Sequence, residues 1–393
     1  MSSNLNQQSR ITSIDLLRGI VMIIMALDHV RDYFHNEAFL YNPLDLTQTS
    51  TPIFLTRFIT HFCAPVFVFL AGTSAYFVGR KKGVKDLSIW LLKRGIWLVI
   101  VEITIIKFGW MFKLDFSLVV LQVIWVLGIS MVFLAAFIHI PKKLAIAVCL
   151  IFVFSHNAFD EFQPSDSFST IWAFLHQFKV VSVGEINVFV GYPIIPWIFV
   201  MPLGYHFGRF YNSDVSTEIR RKRLRQIGFT TILLFVILRS SNLHGDPVAW
   251  STQESTIFTM LSFINVFKYP PSLLYLLVTI GPAILLLGFS ENWNGRISKP
   301  IITIGRVPMF YYIIHIYIIH AAAVVAALLT GYSISNMIID VWITEQPELK
   351  GYGFDLWVVY LIWVVLLTVL YPMSKWYENY KRNNRDKWWL SYF

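Results

Sequence analysis

The chain has 393 residues, of which 56% are apolar, 17% aromatic and only 14% charged. A soluble domain of that composition would expose too much apolar surface, and the many runs near 20 apolar residues point instead to an all-α polytopic membrane protein. The excess of 32 Lys and Arg over 23 Asp and Glu, +9 in all, would hint at nucleic acid in a soluble protein; here the distribution of charge between loops accounts for it, and no nucleic-acid partner is expected.

In chain order the pattern predicts about ten transmembrane helices, over 13–34, 53–78, 89–108, 119–139, 143–157, 188–208, 226–240, 271–289, 300–330 and 354–374. The first segment carries Asp15 and Arg18, and no small-residue cleavage site follows, so it reads as a retained helix. Arg18 and His29 lie on it eleven residues apart. Eleven steps return a helix to within about 20° of its starting direction while it rises about 16 Å, so Asp15, Arg18, Met22, Met25 and His29 form one stripe. A charge near the centre of a lone membrane helix costs roughly 2.5–3.5 kcal/mol, and residues kept there usually face a cavity or a partner. The plainer roles are helix-terminus stabilisation for Asp15, snorkelling for Arg18, a structural hydrogen bond for His29 and solvated positions for Arg31, Asp32 and His35.

The second segment brings His61 to a depth where it could face His29, with Arg57 one turn away. Gly72 suits close packing of segments one and two. In the third, Glu102 is an isolated acid whose expected partner is Arg94 or Lys107. The stretch at 158–187 reads as a surface helix or a re-entrant segment. His315 and His320, five apart in the ninth, point about 140° from each other, so one is expected to face the site and the other to pack.

Basic residues gather in alternate connections, at Arg80 to Lys85, Lys142 and Lys143, Arg220 to Arg225, Arg296 and Lys299, and Lys381 to Lys387. By the positive-inside rule that side and both termini are cytoplasmic. Nothing marks a second domain or a repeat: 1–393 reads as one transmembrane unit, with short tails at 1–10 and 376–393. Cys63 and Cys149 fall in apolar segments, where a structural disulfide is not expected. No metal site, phosphate loop or nucleophile-elbow motif is present.

The stretch ArgIleThrSerIleAspLeuLeuArgGlyIleValMetIleIleMetAlaLeuAspHis at 10–29 resembles the opening of the catalytic domain of heparan-alpha-glucosaminide N-acetyltransferase and its bacterial relatives. Arg18, ten residues, then His29 is similar to the Arg-X10-His motif of wider membrane acyltransferase families. AlaProValPheValPheLeuAlaGlyThrSer at 64–74, the TyrProIleIleProTrp stretch from 192, LysTyrProProSer at 268–272 and GlyArgValProMetPheTyrTyr from 305 fit the same family.

That resemblance implies an acyltransferase of a bacterial inner membrane, moving an acyl group, by default acetyl, from cytoplasmic acyl-CoA to an amine or hydroxyl of a sugar on the far side. No resident cofactor is implied; acetyl-CoA is the co-substrate, and a homo-oligomer is compatible with it. On this reading Arg18, Asp15 and Arg306 hold the donor, and His29, Asp28 and His61 are catalytic. Asp32, His35, Lys268 and His315 orient the acceptor. The position aligned with His29 is asparagine in the heparan enzyme, whose histidine lies further on, which makes His35 the alternative catalytic histidine. A reading from a different class is a carrier or flippase for a polar metabolite, which would need no acyl-CoA.

Overall fold

The computed structural model describes residues 11–165 and 167–392; the predicted tail at 1–10 lies outside them. The helices are α1 (Thr12–Phe34), α2 (Thr51–Ile59), α3 (Cys63–Gly79), α4 (Val84–Val101), α5 (Lys107–Met111), α6 (Val123–Phe137), α7 (Lys142–Ser155), α8 (Ser167–His176) and α9 (Trp197–Phe207), followed by α10 (Thr217–Ser241), α11 (Thr256–Ile264), α12 (Leu273–Ser290), α13 (Ser298–Arg306), α14 (Pro308–Leu329) and α15 (Leu356–Asn383). Among the described residues six helical stretches are long and apolar enough to cross a membrane: Thr51–Gly79, Lys142–Phe159, Thr217–Ser241, Leu273–Ser290, Pro308–Leu329 and Leu356–Asn383.

Helix α1 is long enough but carries five charged residues. Its position explains how it keeps them, because α3, α12, α13, α14 and α15 all pack against it. The approach to α13 is backbone to backbone. A Cβ on Gly19 would come within 2.0 Å of the Ile301 carbonyl oxygen, and one on Gly305 within 1.9 Å of that of Asp15. Only glycine fits at either position, and this contact sets Arg18 and Arg306 beside each other. Gly72 makes a similar approach, but to Met201 of α9 and not to α1 as the sequence suggested.

Proline places the breaks. Pro65 has no N–H to give to the carbonyl four residues earlier, that of His61. The chain tightens into a 3-10 turn over Thr60–Phe62, and the Tyr275 hydroxyl donates to the freed His61 carbonyl at 2.8 Å. The predicted segment 300–330 is two helices, because α13 stops at Arg306 and α14 restarts with Pro308 in its first turn.

The all-α expectation needs one correction, a three-stranded sheet of β1 (Leu118–Leu121), β2 (Lys179–Val183) and β3 (Ile186–Val190). The central strand β3 runs parallel to β1 and antiparallel to β2, and Gly184, at φ +63°, makes the β2–β3 turn. The predicted segments 119–139 and 188–208 therefore begin as strands, with short apolar β-branched runs that periodicity cannot tell from buried helix. Helix α9, at eleven residues, rises only about 16 Å. The chain before it, Tyr192–Pro196, is folded against protein, the one setting in which irregular backbone is tolerated at membrane depth.

Glu102 begins a π-helical turn, Glu102–Ile106, between α4 and α5. Its partners are neither Arg94 nor Lys107. The carboxylate accepts from the backbone N–H groups of Gln122 (3.0 Å) and Trp125 (3.1 Å), satisfying the first turn of α6. Lys107 donates instead to the Lys113 and Asp115 carbonyls.

Candidate active site

The stripe predicted on α1 runs past three cavities. At its start Arg18 donates to Asp15 (3.1 Å), to the Gly305 carbonyl (3.1 Å) and to the Ser74 hydroxyl (2.9 Å). Asp15 also accepts from Arg306 Nε at 3.4 Å, and Arg306 reaches Glu378 at 2.7 Å. The three predicted donor-end residues are thus one network. Arg18 and Ser74 line both a basin of about 910 Å³, rimmed by Arg80, Lys81, Lys82 and Arg220, and a narrower cavity of about 350 Å³. The narrower cavity continues along Met22 to Tyr312, between walls of α3, α4 and α6.

Two turns beyond Met22, His29 faces the third, a chamber of about 450 Å³. Its Nδ1 lies 2.7 Å from Nε2 of His315, whose own Nδ1 is 2.9 Å from the Tyr311 carbonyl. A carbonyl can only accept, so His315 Nδ1 carries the proton and its Nε2 is the acceptor. His29 Nδ1–H then donates, and His29 Nε2 keeps its lone pair. This is the tautomer a general base needs, fixed by an orienting partner. His315 is the member of the α14 pair that meets His29. His320 sits between the Gly109 (2.9 Å) and Met337 (2.8 Å) carbonyls, a packing role.

The chamber wall is charged and aromatic. Arg57 gives Nη1 to both oxygens of Asp28, at 2.9 and 2.7 Å, and Arg31 joins Asp28 (3.1 Å) to Asp32 (2.6 Å). Arg31 and Asp32 are buried, unlike the solvated positions their place near a helix end suggested. Burial of these charges is tolerable only because each meets an opposite one. Lys268 is 8% exposed and lies over the Tyr269 ring at 5.1 Å. Burial would raise the Tyr269 phenol, but Lys268 and Arg57 bring it below its usual value. Trp110, Tyr192, Tyr269 and Trp342 supply flat apolar faces. Both proline-rich motifs thereby deliver a tyrosine to the chamber.

Two predicted residues lie apart from it. His61 does not meet His29. The 3-10 turn rotates it between Phe58 and Tyr275, at ring separations of 5.7 and 5.3 Å, and its Nδ1 is 3.0 Å from the Arg57 carbonyl. It supports the backbone that carries Arg57. His35 lies just past α1, where its backbone bridges Phe354; it is buried and lines none of the three cavities. Burial, reinforced by Arg31, lowers its imidazole pKa, favouring the neutral form. Conversely, the sequence reading missed Arg31, Arg57, Gln122, Trp110, Trp342 and Tyr312 as site residues. Their aromatic members resemble ordinary interfacial belts in sequence, and the spacing of Arg57 to Asp28, 29 residues along the chain, follows no helical rule.

Residues 10–241 match the family model described as heparan-alpha-glucosaminide N-acetyltransferase, catalytic. The chain belongs to this family. The match spans more than half of the chain, from α1 through α10, and so includes Arg18, Asp28, His29, Arg57 and Trp110. Lys268, Arg306, Tyr312 and His315 lie beyond it. No curated protein matches the chain. Membership in the heparan-alpha-glucosaminide N-acetyltransferase catalytic family gives the coarse assignment, a membrane acyltransferase.

Proposed function

We propose that the protein transfers an acetyl group from cytoplasmic acetyl-CoA to an amine or hydroxyl of a sugar or glycan on the opposite side of the membrane. The observation that carries this reading is the arrangement along α1: a basic basin reaches Arg18, a narrower cavity runs on from Arg18 along Met22 to Tyr312, and an aromatic and charged chamber reaches His29, with Tyr312 of the narrower cavity and Trp110 of the chamber both against the His29 ring. Ten crossing segments follow, formed by α1, α2–α3, α4–α5, α6, α7, α9, α10, α12, α13–α14 and α15 in a single unit. Both termini and the basic loops are then cytoplasmic, in what the family resemblance makes a bacterial inner membrane.

The donor enters from the basin. Arg80, Lys81, Lys82 and Arg220 surround its phosphates, and Arg18, with Arg306 and Asp15 fixing its plane, meets the part nearest the membrane; permanent charge and several donors suit arginine to phosphate. The narrower apolar cavity accepts the thread-like arm, directing the thioester towards His29. The acceptor sits in the chamber, with its sugar face on the aromatic walls and its polar groups on Asp28, Asp32 and Lys268. His29 Nε2 removes the proton from the attacking amine or hydroxyl while the new bond to the carbonyl carbon forms. The carbon–sulfur bond then breaks, and CoA leaves as the thiolate. His315 holds His29 in the required tautomer and shares the positive charge that develops.

Purified protein in proteoliposomes, given labelled acetyl-CoA and a panel of amino sugars and glycans, tests this directly. Label passes to a sugar with the wild type, and His29→Ala lowers the rate by about 10³-fold with acetyl-CoA binding retained. Normal turnover by His29→Ala would remove His29 as the base, and a folded wild type with no acetyl-CoA turnover would remove the acyltransfer reading.

A further inference from the structure

Charge inside the aromatic chamber does not cancel. Its lining sets Arg31, Arg57 and Lys268 against Asp28 and Asp32. The two arginines are taken up by the two aspartates, Arg57 with Asp28 at 2.7 Å and Arg31 with Asp28 at 3.1 Å and Asp32 at 2.6 Å. Lys268 is left over, with no ion pair among the described residues. The remaining acid on the lining, Glu345, is exposed to solvent. The neighbour that Lys268 does touch is Tyr269, whose ring centre is 5.1 Å from Nζ and whose hydroxyl shares a hydrogen bond with it. A phenol hydroxyl is neutral, and an ammonium has three N–H groups to give, so this contact neither cancels the charge nor exhausts the donors.

A cation that is 8% exposed and has no counter-charge is costly to hold, and the chain around Lys268 is built to hold it. On one side Arg239 of α10, itself 1% exposed, donates to the carbonyls of Ser262, Phe263 and Asn265 at 3.0, 2.9 and 2.6 Å. Across the lysine, the Asp246 carboxylate accepts from the Phe267 N–H at 2.8 Å and the Ser272 hydroxyl at 2.7 Å, and the Lys268 backbone bridges Pro271. The loop is thus clamped before and after Lys268, which stays on the chamber wall. A group fixed in advance loses little freedom when a ligand arrives.

On the acetyl-transfer reading above, which seats the acceptor in this chamber, we propose that Lys268 is the subsite for a single negative charge on the acceptor, a carboxylate or a sulfate ester carried by the sugar that reaches His29. One positive charge in excess matches a monoanion. A phosphate monoester, with nearly two negative charges near neutral pH, would overshoot it, and a neutral sugar would leave Lys268 without a counter-charge.

Glucuronate and glucuronamide share a shape and differ by one charge. Calorimetry on the purified protein should give glucuronate the higher affinity by about 10²-fold, Lys268→Gln should bring the two within about threefold, and Lys268→Arg should keep most of the preference. Transfer supplies the second readout and separates the two anions: kcat/KM for glucosaminuronate is compared with that for its amide, and kcat/KM for the sulfate ester of glucosamine with that for glucosamine. At least one anionic member should lead its neutral partner by a similar factor. Equal affinities for glucuronate and glucuronamide in the wild type, together with equal transfer within both pairs, would overturn the assignment, and so would a preference that survives Lys268→Gln. Should Lys268→Gln fail to fold, Lys268→Met, which keeps the apolar stem, takes its place. Anion preference in binding with no acetyl transfer to any sugar would leave the subsite standing and remove the acyltransferase reading. Transfer that ignores the charge would do the reverse.

Discussion

The two ends of α1 handle charge in opposite ways. Around Arg18 the basin is wide and rimmed by exposed Arg80, Lys81 and Lys82 and by Arg220 paired with Glu291, with one compact Asp15–Arg18–Arg306 network at its floor. Around His29 the chamber is half that size and its charges are buried in pairs, Asp28 with Arg57 and Asp32 with Arg31. A rim of solvated cations attracts any polyphosphate without fixing its pose, whereas paired, desolvated charges between aromatic faces resist rearrangement and so discriminate by shape. On the proposed function the first end suits a donor common to many reactions and the second suits a particular acceptor.

Breaking the second end should cost most. His315→Leu removes the acceptor for His29 Nδ1–H, freeing the ring to turn or change tautomer, and kcat should fall about 10²-fold. His315→Gln, whose carbonyl oxygen can accept the same proton, should recover part of that loss. Equal rates for the two variants would show that orientation of His29 is unimportant. At the first end, Arg18→Ala should raise the acetyl-CoA Kd about tenfold, or roughly 1.4 kcal/mol, with a smaller change in kcat. Added salt should narrow the difference between Arg18→Ala and wild type, measured by calorimetry, because the lost interaction is partly screened. The smallest effect is expected at His35: His35→Asn should leave kcat within about twofold, since His35 lines none of the three cavities. A loss as large as that from His29→Ala would move the catalytic role to His35.

Much of the first end was legible in the sequence. Residues on one helix face obey a period, so Asp15, Arg18, Met22 and His29 could be aligned without a structure, and the basic loops announced the basin. The ten predicted segments coincide with helices or helix pairs, except that 119–139 and 188–208 each begin with a strand, and six helical stretches among the described residues are long and apolar enough to cross a membrane. The second end was harder because its pairs join distant parts of the chain. His61 was expected to face His29, but the 3-10 turn before Pro65 sets its ring between Phe58 and Tyr275, and local pattern does not report a turn of that kind. Glu102 looked like one half of an ion pair, whereas its partners are backbone groups of α6, which no side-chain pattern reveals. The sheet escaped notice because ValVal and PheVal runs inside an apolar chain look like more helix. Only the α14 pair was half legible: the angle between His315 and His320 required one to turn inward, and the structure identifies His315.

On the proposed function, donor and acceptor approach His29 from opposite faces of the membrane. Sealed proteoliposomes of known protein orientation would test it, with labelled acetyl-CoA supplied to one face at a time and a membrane-impermeant sugar acceptor confined to the other. Product should form only when acetyl-CoA meets the face bearing Arg80, Arg220 and Lys381, and it should accumulate on the opposite side. Product formed with both substrates on the same face, and none across the membrane, would rule out transfer across the membrane through His29.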